Sequence, residues 1–107
     1  MFFKRKFDKT MEEVKHDLDT RNDIQLLDVR EVDEYKDGHI KGALLLPLGE
    51  VEKKAALKLS KQQDIYVYCR SGQRSNTACK RLRALGYTNV YNIGGIMNWP
   101  FDVVKGM

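Results

Sequence analysis

Apolar residues occur along this chain in short, nearly continuous runs that are separated by charged segments. The runs cover Ile24–Val29, Ala43–Pro47 and Ile65–Tyr68, and uninterrupted runs of this kind are typical of strands covered on both faces of a sheet. A shorter run over Asn89–Asn92 predicts a fourth strand. We therefore expect four strands, of which the first three are buried.

Segments with helical spacing lie between the predicted strands. Thr10 and Glu13 have the spacing of a capping box, which predicts a helix that ends about Leu18. Helical spacing and terminating glycines predict four further helical segments, over 31–36, 50–59, 76–85 and 96–99. Strands that alternate with helices in a chain of 107 residues predict one α/β domain, with a mostly parallel sheet flanked by helices on both faces.

The residues most suggestive of chemistry follow the third run. Cys69 comes directly after that strand, and a polar loop separates it from the next helix. In an open parallel sheet, ligands bind at the carboxyl ends of the strands, where this thiol is expected to lie. Backbone N–H groups and the positive end of the helix dipole both favour the thiolate, which is the nucleophilic form. The pattern therefore predicts a reactive sulfur beside an anion-binding loop.

The segment Cys69–Ser75, called the cysteine loop below, contains three strongly polar side chains, those of Arg70, Gln73 and Arg74. These cannot all be buried beside the thiol, so we expect the sulfur to lie near solvent and positive charge. The two arginines are expected to lower the pKa of the thiol and to hold an anionic substrate.

The small residues of the cysteine loop are expected to complete a cradle for the substrate. Gly72 lets the loop close with its N–H groups pointing inward, as a nest for an anion. The hydroxyls of Ser71 and Ser75 either donate to the sulfur or cap the following helix, and capping is the commoner role at Ser75. Cys69 is thus the candidate nucleophile, and residues 70–75 form the candidate binding loop.

Two further polar residues end the first predicted strand. If the strands are parallel, Asp28 and Arg30 lie at the same sheet edge as Cys69. They either brace the cysteine loop or pair with Glu34, and bracing is the preferred interpretation. His39 is expected to satisfy a turn.

The second cysteine, Cys79, has the spacing of a core residue. Helical periodicity places it on one stripe that is predicted to face the sheet, made of Ser75, Ala78, Cys79, Leu82 and Leu85. Core packing is therefore favoured over a role as a resolving thiol. Gly94, Gly95 and Trp99 are interpreted as packing and turn residues.

The composition of the chain mainly excludes certain classes of function. The net charge of +4, from 19 basic and 15 acidic residues, is too mild to indicate nucleic-acid binding, and no basic stripe interleaved with aromatics supports it. No apolar run approaches the roughly 18 residues of a membrane helix, and Met1–Phe7 carries charges where a signal peptide needs an apolar core. We expect a cytoplasmic protein with reduced thiols and a frayed, solvated start. Metal binding is not expected, since the two histidines lie far from either cysteine.

These residues together resemble the rhodanese (thiosulfate sulfurtransferase) domain family in its single-domain form, over a core from about residue 10 to residue 100. The resemblance rests on the order and spacing of several short motifs: Leu27-Asp28-Val29-Arg30, Glu34, Gly38-His39-Ile40, Gly42-Ala43, Pro47, the cysteine loop, Leu85-Gly86-Tyr87, Val90, Gly94-Gly95 and Trp99.

This resemblance implies a rhodanese-like α/β fold and a specific chemistry. Cys69 would accept a sulfane sulfur as a persulfide, from thiosulfate or another persulfide donor. The sulfur would then pass to cyanide, a thiol or a protein acceptor. The chemistry requires neither a metal nor an organic cofactor.

Two alternatives remain open on the residues alone. Cysteine phosphatases and arsenate reductases also use a thiolate in an anion-binding loop, but they place an arginine six residues after the cysteine. Here that position is Ser75, Arg74 is one residue too early, and Tyr68 rather than a histidine precedes the cysteine. The second alternative is a sulfur carrier or partner-binding module of the same fold. A purely binding module would be expected to lack the nucleophile, whereas a carrier would keep it.

Overall fold

Four helices and four strands alternate along residues 6–107, which are the residues that the computed structural model describes. The helices are α1 (Met11–Thr20), α2 (Val32–Asp37), α3 (Val51–Lys58) and α4 (Gln73–Ala84). The strands are β1 (Gln25–Asp28), β2 (Leu44–Leu45), β3 (Ile65–Cys69) and β4 (Val90–Gly95). Single 3-10 turns cover Leu48–Glu50 and Ile96–Asn98.

The four strands form one sheet in the order β2-β1-β3-β4, and each neighbouring pair is parallel. Asp28 is opposite Tyr68, and Cys69 is opposite Gly95. The carboxyl ends of all four strands therefore meet at one edge of the sheet. The predicted parallel α/β architecture is confirmed.

Side chains that alternate along the central strands pack into two separate cores. Leu27, Val67 and Cys69 contact one cluster, which also contains residues of α3 and α4 such as Ala55 and Leu82. The opposite face of the sheet is covered by α1 and α2, through side chains that pack with Leu26, Tyr66 and Tyr68 and include Val14 and Tyr35. Helices thus flank both faces, as expected.

The predicted capping box begins α1. The Thr10 hydroxyl accepts a hydrogen bond from the Glu13 N–H at 3.1 Å, and the Glu13 carboxylate accepts one from the Thr10 N–H at 3.0 Å. The helix continues to Thr20, two residues beyond the expected end. Thr10 and Glu13 therefore satisfy N–H groups that a helix N-terminus otherwise leaves unpaired.

Two expectations about packing and one about a turn were wrong. The second strand is only two residues long and partly exposed, with Leu44 at 37%, because β2 is an edge strand that pairs with β1 alone. Leu85 does not share the buried stripe of α4, because it caps the end of that helix and is 40% exposed. Gly94 and Gly95 are buried, as a packing role predicts, but they belong to β4 rather than to a turn.

The expected frayed start, Met1–Phe7, falls mostly outside the described residues. Phe7 is described and does not fit that expectation. Its ring lies so close to Gly72 and Gly94 that a Cβ at either glycine would overlap it. Phe7 therefore packs against both the cysteine loop and the end of β4.

Candidate active site

Cys69 is the last residue of β3, an interior strand, and it lies at the carboxyl edge of the sheet. The chain turns into α4 within three residues, since that helix begins at Gln73. Gly72 makes this short connection with a φ of 106°, in the left-handed region that disfavours other residues. The sharp turn brings the backbone N–H groups of the loop back towards the sulfur.

The sulfur of Cys69 is surrounded by hydrogen-bond donors. The Gly72 N–H donates to Sγ at 3.0 Å, and Sγ lies 3.5 Å from the Ser75 hydroxyl oxygen. Burial alone would raise the pKa of Cys69, but bonds from the Ser75 side chain and from the backbone N–H groups of Ser75, Gly72 and Ser71 outweigh it. The pKa of the thiol is therefore lowered, which favours a nucleophilic thiolate.

The expectation that this sulfur lies near solvent was wrong. Cys69 is 1% exposed. Arg70, Ser71 and Gln73 are exposed instead, so the loop turns its backbone and the Ser75 hydroxyl, rather than these three side chains, towards the thiol. Polar side chains can thus surround a buried sulfur in sequence without being buried beside it.

The cysteine loop rests on the end of β4. The Arg70 carbonyl accepts a hydrogen bond from the Met97 N–H at 3.2 Å. A Cβ at Gly95 would overlap that same carbonyl and the backbone of Ser71. Gly95 therefore lets the loop approach the strand closely, which is a packing role.

Asn92, a buried residue of β4, ties the loop to the strand and was not predicted. Its amide nitrogen donates to the Gly72 carbonyl at 3.2 Å. Its amide oxygen accepts from the Ser75 hydroxyl at 2.7 Å and from the Gly94 N–H at 3.0 Å. The available signal was a polar amide in an otherwise apolar strand, just before two glycines.

Arg74 does not point freely into the site, because Glu34 of α2 binds it. The two guanidinium Nη atoms donate to the two carboxylate oxygens at 2.7 and 2.9 Å. This contact raises the pKa of Arg74 and lowers that of Glu34 to about 2. This pairing was not predicted, since the expected partners of Glu34 were Asp28 and Arg30.

Asp28 and Arg30 form a buried ion pair with each other rather than with Glu34. The Arg30 Nη2 donates to Asp28 at 2.7 Å and also to the Gly38 carbonyl at 2.7 Å. The guanidinium lies 5.7 Å from the centre of the Tyr68 ring. Both residues lie at the predicted edge, and their bonds to each other and to Gly38 connect β1 to the end of α2. Bracing of the cysteine loop by this pair remains a prediction.

The remaining candidates have structural surroundings. Cys79, a residue of α4, lies in the core as expected, and burial raises the pKa of its thiol to about 12. His39 is buried, stacks on Tyr35 with ring centres 3.6 Å apart, and its Nδ1 is 2.8 Å from the Tyr35 carbonyl.

Residues 6–107 contain no cluster of three or more acidic, histidine or cysteine side chains that could hold a metal. Within the same range, no helix is long and apolar enough to cross a membrane.

Comparison with known families identifies this arrangement. The family model of the rhodanese-like domain matches residues 10–100. The chain belongs to the rhodanese-like domain family. The putative sulfur carrier protein YrkF of Bacillus subtilis is 38% identical over 91 residues, which cover 84% of this chain and 49% of that protein. The chain thus spans about half the length of this relative.

A relative of more similar length is the thiosulfate sulfurtransferase PspE of Escherichia coli. It is 37% identical over 81 residues, which cover 75% of this chain and 78% of that protein. Its name, and the names of other relatives, support the assignment of this chain to the rhodanese-type sulfurtransferases.

Solved rhodanese structures have the same fold. The solution structure of a rhodanese-like domain from Anabaena has a TM-score of 0.85 at 29% identity and covers 92% of this chain and 78% of that one. The human single-domain sulfurtransferase has a TM-score of 0.77 at 27% identity, with 85% and 92% covered. The expected rhodanese-like fold is confirmed.

Proposed function

We propose that this protein is a sulfurtransferase that carries sulfane sulfur as a persulfide on Cys69. The observation that carries the proposal is the environment of this thiol, which receives the Gly72 N–H at 3.0 Å and has a lowered pKa. Relatives named thiosulfate sulfurtransferase support the same chemistry.

The first step loads the sulfur. The Cys69 thiolate attacks the outer sulfur of thiosulfate, and a new S–S bond forms at Sγ. The original S–S bond of thiosulfate breaks, and its electron pair leaves with sulfite. An alkyl persulfide donor reacts in the same way, with an alkyl thiolate as the leaving group. The exposed guanidinium of Arg70 favours the departure of an anion from this edge.

The second step transfers the sulfur from Cys69 to an acceptor. The persulfide carries its negative charge on the terminal sulfur, where backbone N–H groups of the cysteine loop stabilise it. An acceptor nucleophile, which is cyanide in an assay or a small or protein thiol in a cell, attacks this terminal sulfur. The bond to Sγ breaks, and its electron pair restores the Cys69 thiolate. Both steps are nucleophilic displacements at sulfur, so neither needs a metal or an organic cofactor.

The test is intact-protein mass spectrometry after incubation with thiosulfate, on the wild type, Cys69→Ser and Cys79→Ala. We expect the wild type and Cys79→Ala to gain one sulfur atom that cyanide removes, whereas Cys69→Ser gains none. A gain that persists in Cys69→Ser would contradict the assignment of the nucleophile. No added sulfur from thiosulfate or an alkyl persulfide, with turnover of an aryl phosphate or arsenate instead, would assign the protein to the oxyanion enzymes.

A role as sulfur carrier is the second candidate, since the Bacillus relative is named a putative sulfur carrier protein. A carrier keeps Cys69 and loads it, but delivers the sulfur to a partner protein and not to free thiols. Slow release of the loaded sulfur to cyanide and to small thiols would favour this candidate over a free enzyme.

The cytoplasmic location and the absence of a nucleic-acid partner remain predictions from the sequence.

A further inference from the structure

The ion pair between Glu34 and Arg74 crosses the sheet edge at which the reaction is proposed. Glu34 lies in the first turn of α2, which covers one face of the sheet, and Arg74 lies in the first turn of α4 on the other face. These helices follow β1 and β3, which are neighbours. A contact between them must therefore pass over the carboxyl ends of these strands, where β3 ends with Cys69.

This ion pair occupies one donor edge of the Arg74 guanidinium, the edge formed by its two Nη atoms. A guanidinium recognises a carboxylate or a sulfonate through two parallel N–H bonds, and Glu34 takes both at 2.7 and 2.9 Å. A second bond holds the carboxylate in place, because its Oε1 also accepts the Glu31 N–H at 3.1 Å. The pKa of Glu34, about 2, keeps it ionised at neutral pH.

Arg74 nevertheless lies within the field of the reacting sulfur. The Glu34 carboxylate is the main cause of its raised pKa, and the Cys69 thiolate is a further one. A thiosulfate donor brings two negative charges towards that thiolate, so its binding depends on nearby positive charge. Because Glu34 neutralises Arg74, the positive charge available to thiosulfate comes from Arg70 and from the N–H groups of the cysteine loop.

We propose that Glu34 determines donor selectivity by occupying Arg74, so that the site disfavours donors with an oxyanion leaving group relative to alkyl persulfides. This inference rests on the proposed sulfurtransferase function. Thiosulfate must compete for the positive charge of Arg74 with a carboxylate that is already bound at two points. An alkyl persulfide without an oxyanion group does not need the guanidinium and reacts with the ion pair closed.

The test compares Glu34→Gln with Asp33→Asn, measured with thiosulfate and with the persulfide of 2-mercaptoethanol. Asp33 is an exposed residue in the same helical turn, so its variant makes the same change in net charge without touching the ion pair. We expect Glu34→Gln to lower the KM for thiosulfate by about three- to tenfold, with little change in kcat. For the alkyl persulfide, the two variants should have the same kcat/KM.

A second comparison separates release of Arg74 from a simple change in charge. If Glu34 masks Arg74, then Arg74→Ala raises the KM for thiosulfate by a larger factor in the Glu34→Gln background than in the wild type. A long-range charge effect alone gives equal factors in both backgrounds. Equal factors would therefore overturn the proposal.

The remaining outcomes are equally decisive. A KM for thiosulfate that is the same in Glu34→Gln and Asp33→Asn contradicts the proposal, while a persulfide on Cys69 shows that the sulfurtransferase function still holds. If no donor loads Cys69 in the wild type, the function itself fails and this inference with it. If Glu34→Gln does not fold, Glu34→Asp keeps the charge but weakens the two-point contact, and it should lower the KM by a smaller factor. No decrease in that variant would likewise overturn the proposal.

Discussion

At the scale of single residues, Ser75 and Asn92 form a hydrogen-bonded chain behind the sulfur of Cys69. A hydroxyl has one proton, and in the thiol state Ser75 gives it to the Asn92 amide oxygen at 2.7 Å. When Cys69 loses its proton, the Ser75 hydroxyl can turn to the sulfur instead. The amide oxygen of Asn92 still has a donor in that state, the Gly94 N–H at 3.0 Å. The thiolate therefore forms without leaving a buried polar group unpaired.

This chain predicts that Ser75→Ala makes the thiol less reactive. The Ser75 side chain is the largest of the hydrogen bonds that lower the pKa of Cys69, so its loss should raise that pKa and reduce the thiolate fraction at neutral pH. We expect alkylation by iodoacetamide at pH 7 to slow by about three- to tenfold, since one pKa unit changes the thiolate fraction about tenfold.

The matched control for this prediction is Thr77→Ala, which removes another hydroxyl from α4. That hydroxyl contacts the Gln73 carbonyl and not the sulfur. The pH dependence of alkylation should shift upward only in Ser75→Ala. Superimposable pH profiles for Ser75→Ala and the wild type would exclude the assigned role.

At the scale of elements, the reactive loop depends on the close contact between β4 and the segment after β3. Gly95→Ala introduces a Cβ where the Arg70 carbonyl and the Ser71 backbone lie. Backbone atoms cannot rotate away as a side chain can, so we expect a loss of roughly 3 kcal/mol in the free energy of unfolding, measured by urea denaturation.

Gly49→Ala is the control for this steric argument. A Cβ at Gly49 would meet nothing within 4 Å, and its free energy of unfolding should stay within about 0.5 kcal/mol of the wild type. If both variants lost a similar free energy of unfolding, the close approach at Gly95 would not be the reason that Gly95→Ala is destabilising.

How much of this site the sequence predicts depends on how local each interaction is. Cys69, its preceding strand and the glycine of the loop are contiguous in the chain, so a short apolar run and a turn signal suffice to place them. Glu34 and Arg74 lie 40 residues apart, and their contact depends on which helix covers which face. That information comes only from the assembled sheet, as does the burial of Cys69 beneath its own backbone.

At the scale of the whole molecule, parallel strands collect every site residue at one edge. Arg30 and Glu34 follow β1, the cysteine loop follows β3, and Gly95 ends β4. Segments that are distant in sequence therefore share one surface without any need for a second domain, as in other open parallel sheets. The same surface experiences the field of the whole chain, whose net charge is +4.

This net charge predicts that salt affects a dianionic donor more than a singly charged one. A positive molecule attracts a dianion over several ångströms, and ions screen that attraction beyond the Debye length of about 10 Å at 0.1 M. Raising the ionic strength from about 0.02 to 0.5 M should therefore lower kcat/KM for thiosulfate by roughly threefold or more. The persulfide of 2-mercaptoethanol, which carries one negative charge on its terminal sulfur rather than two, should respond less. Parallel decreases for the two donors would instead indicate that salt acts on the protein itself, and steering by the net charge would be excluded.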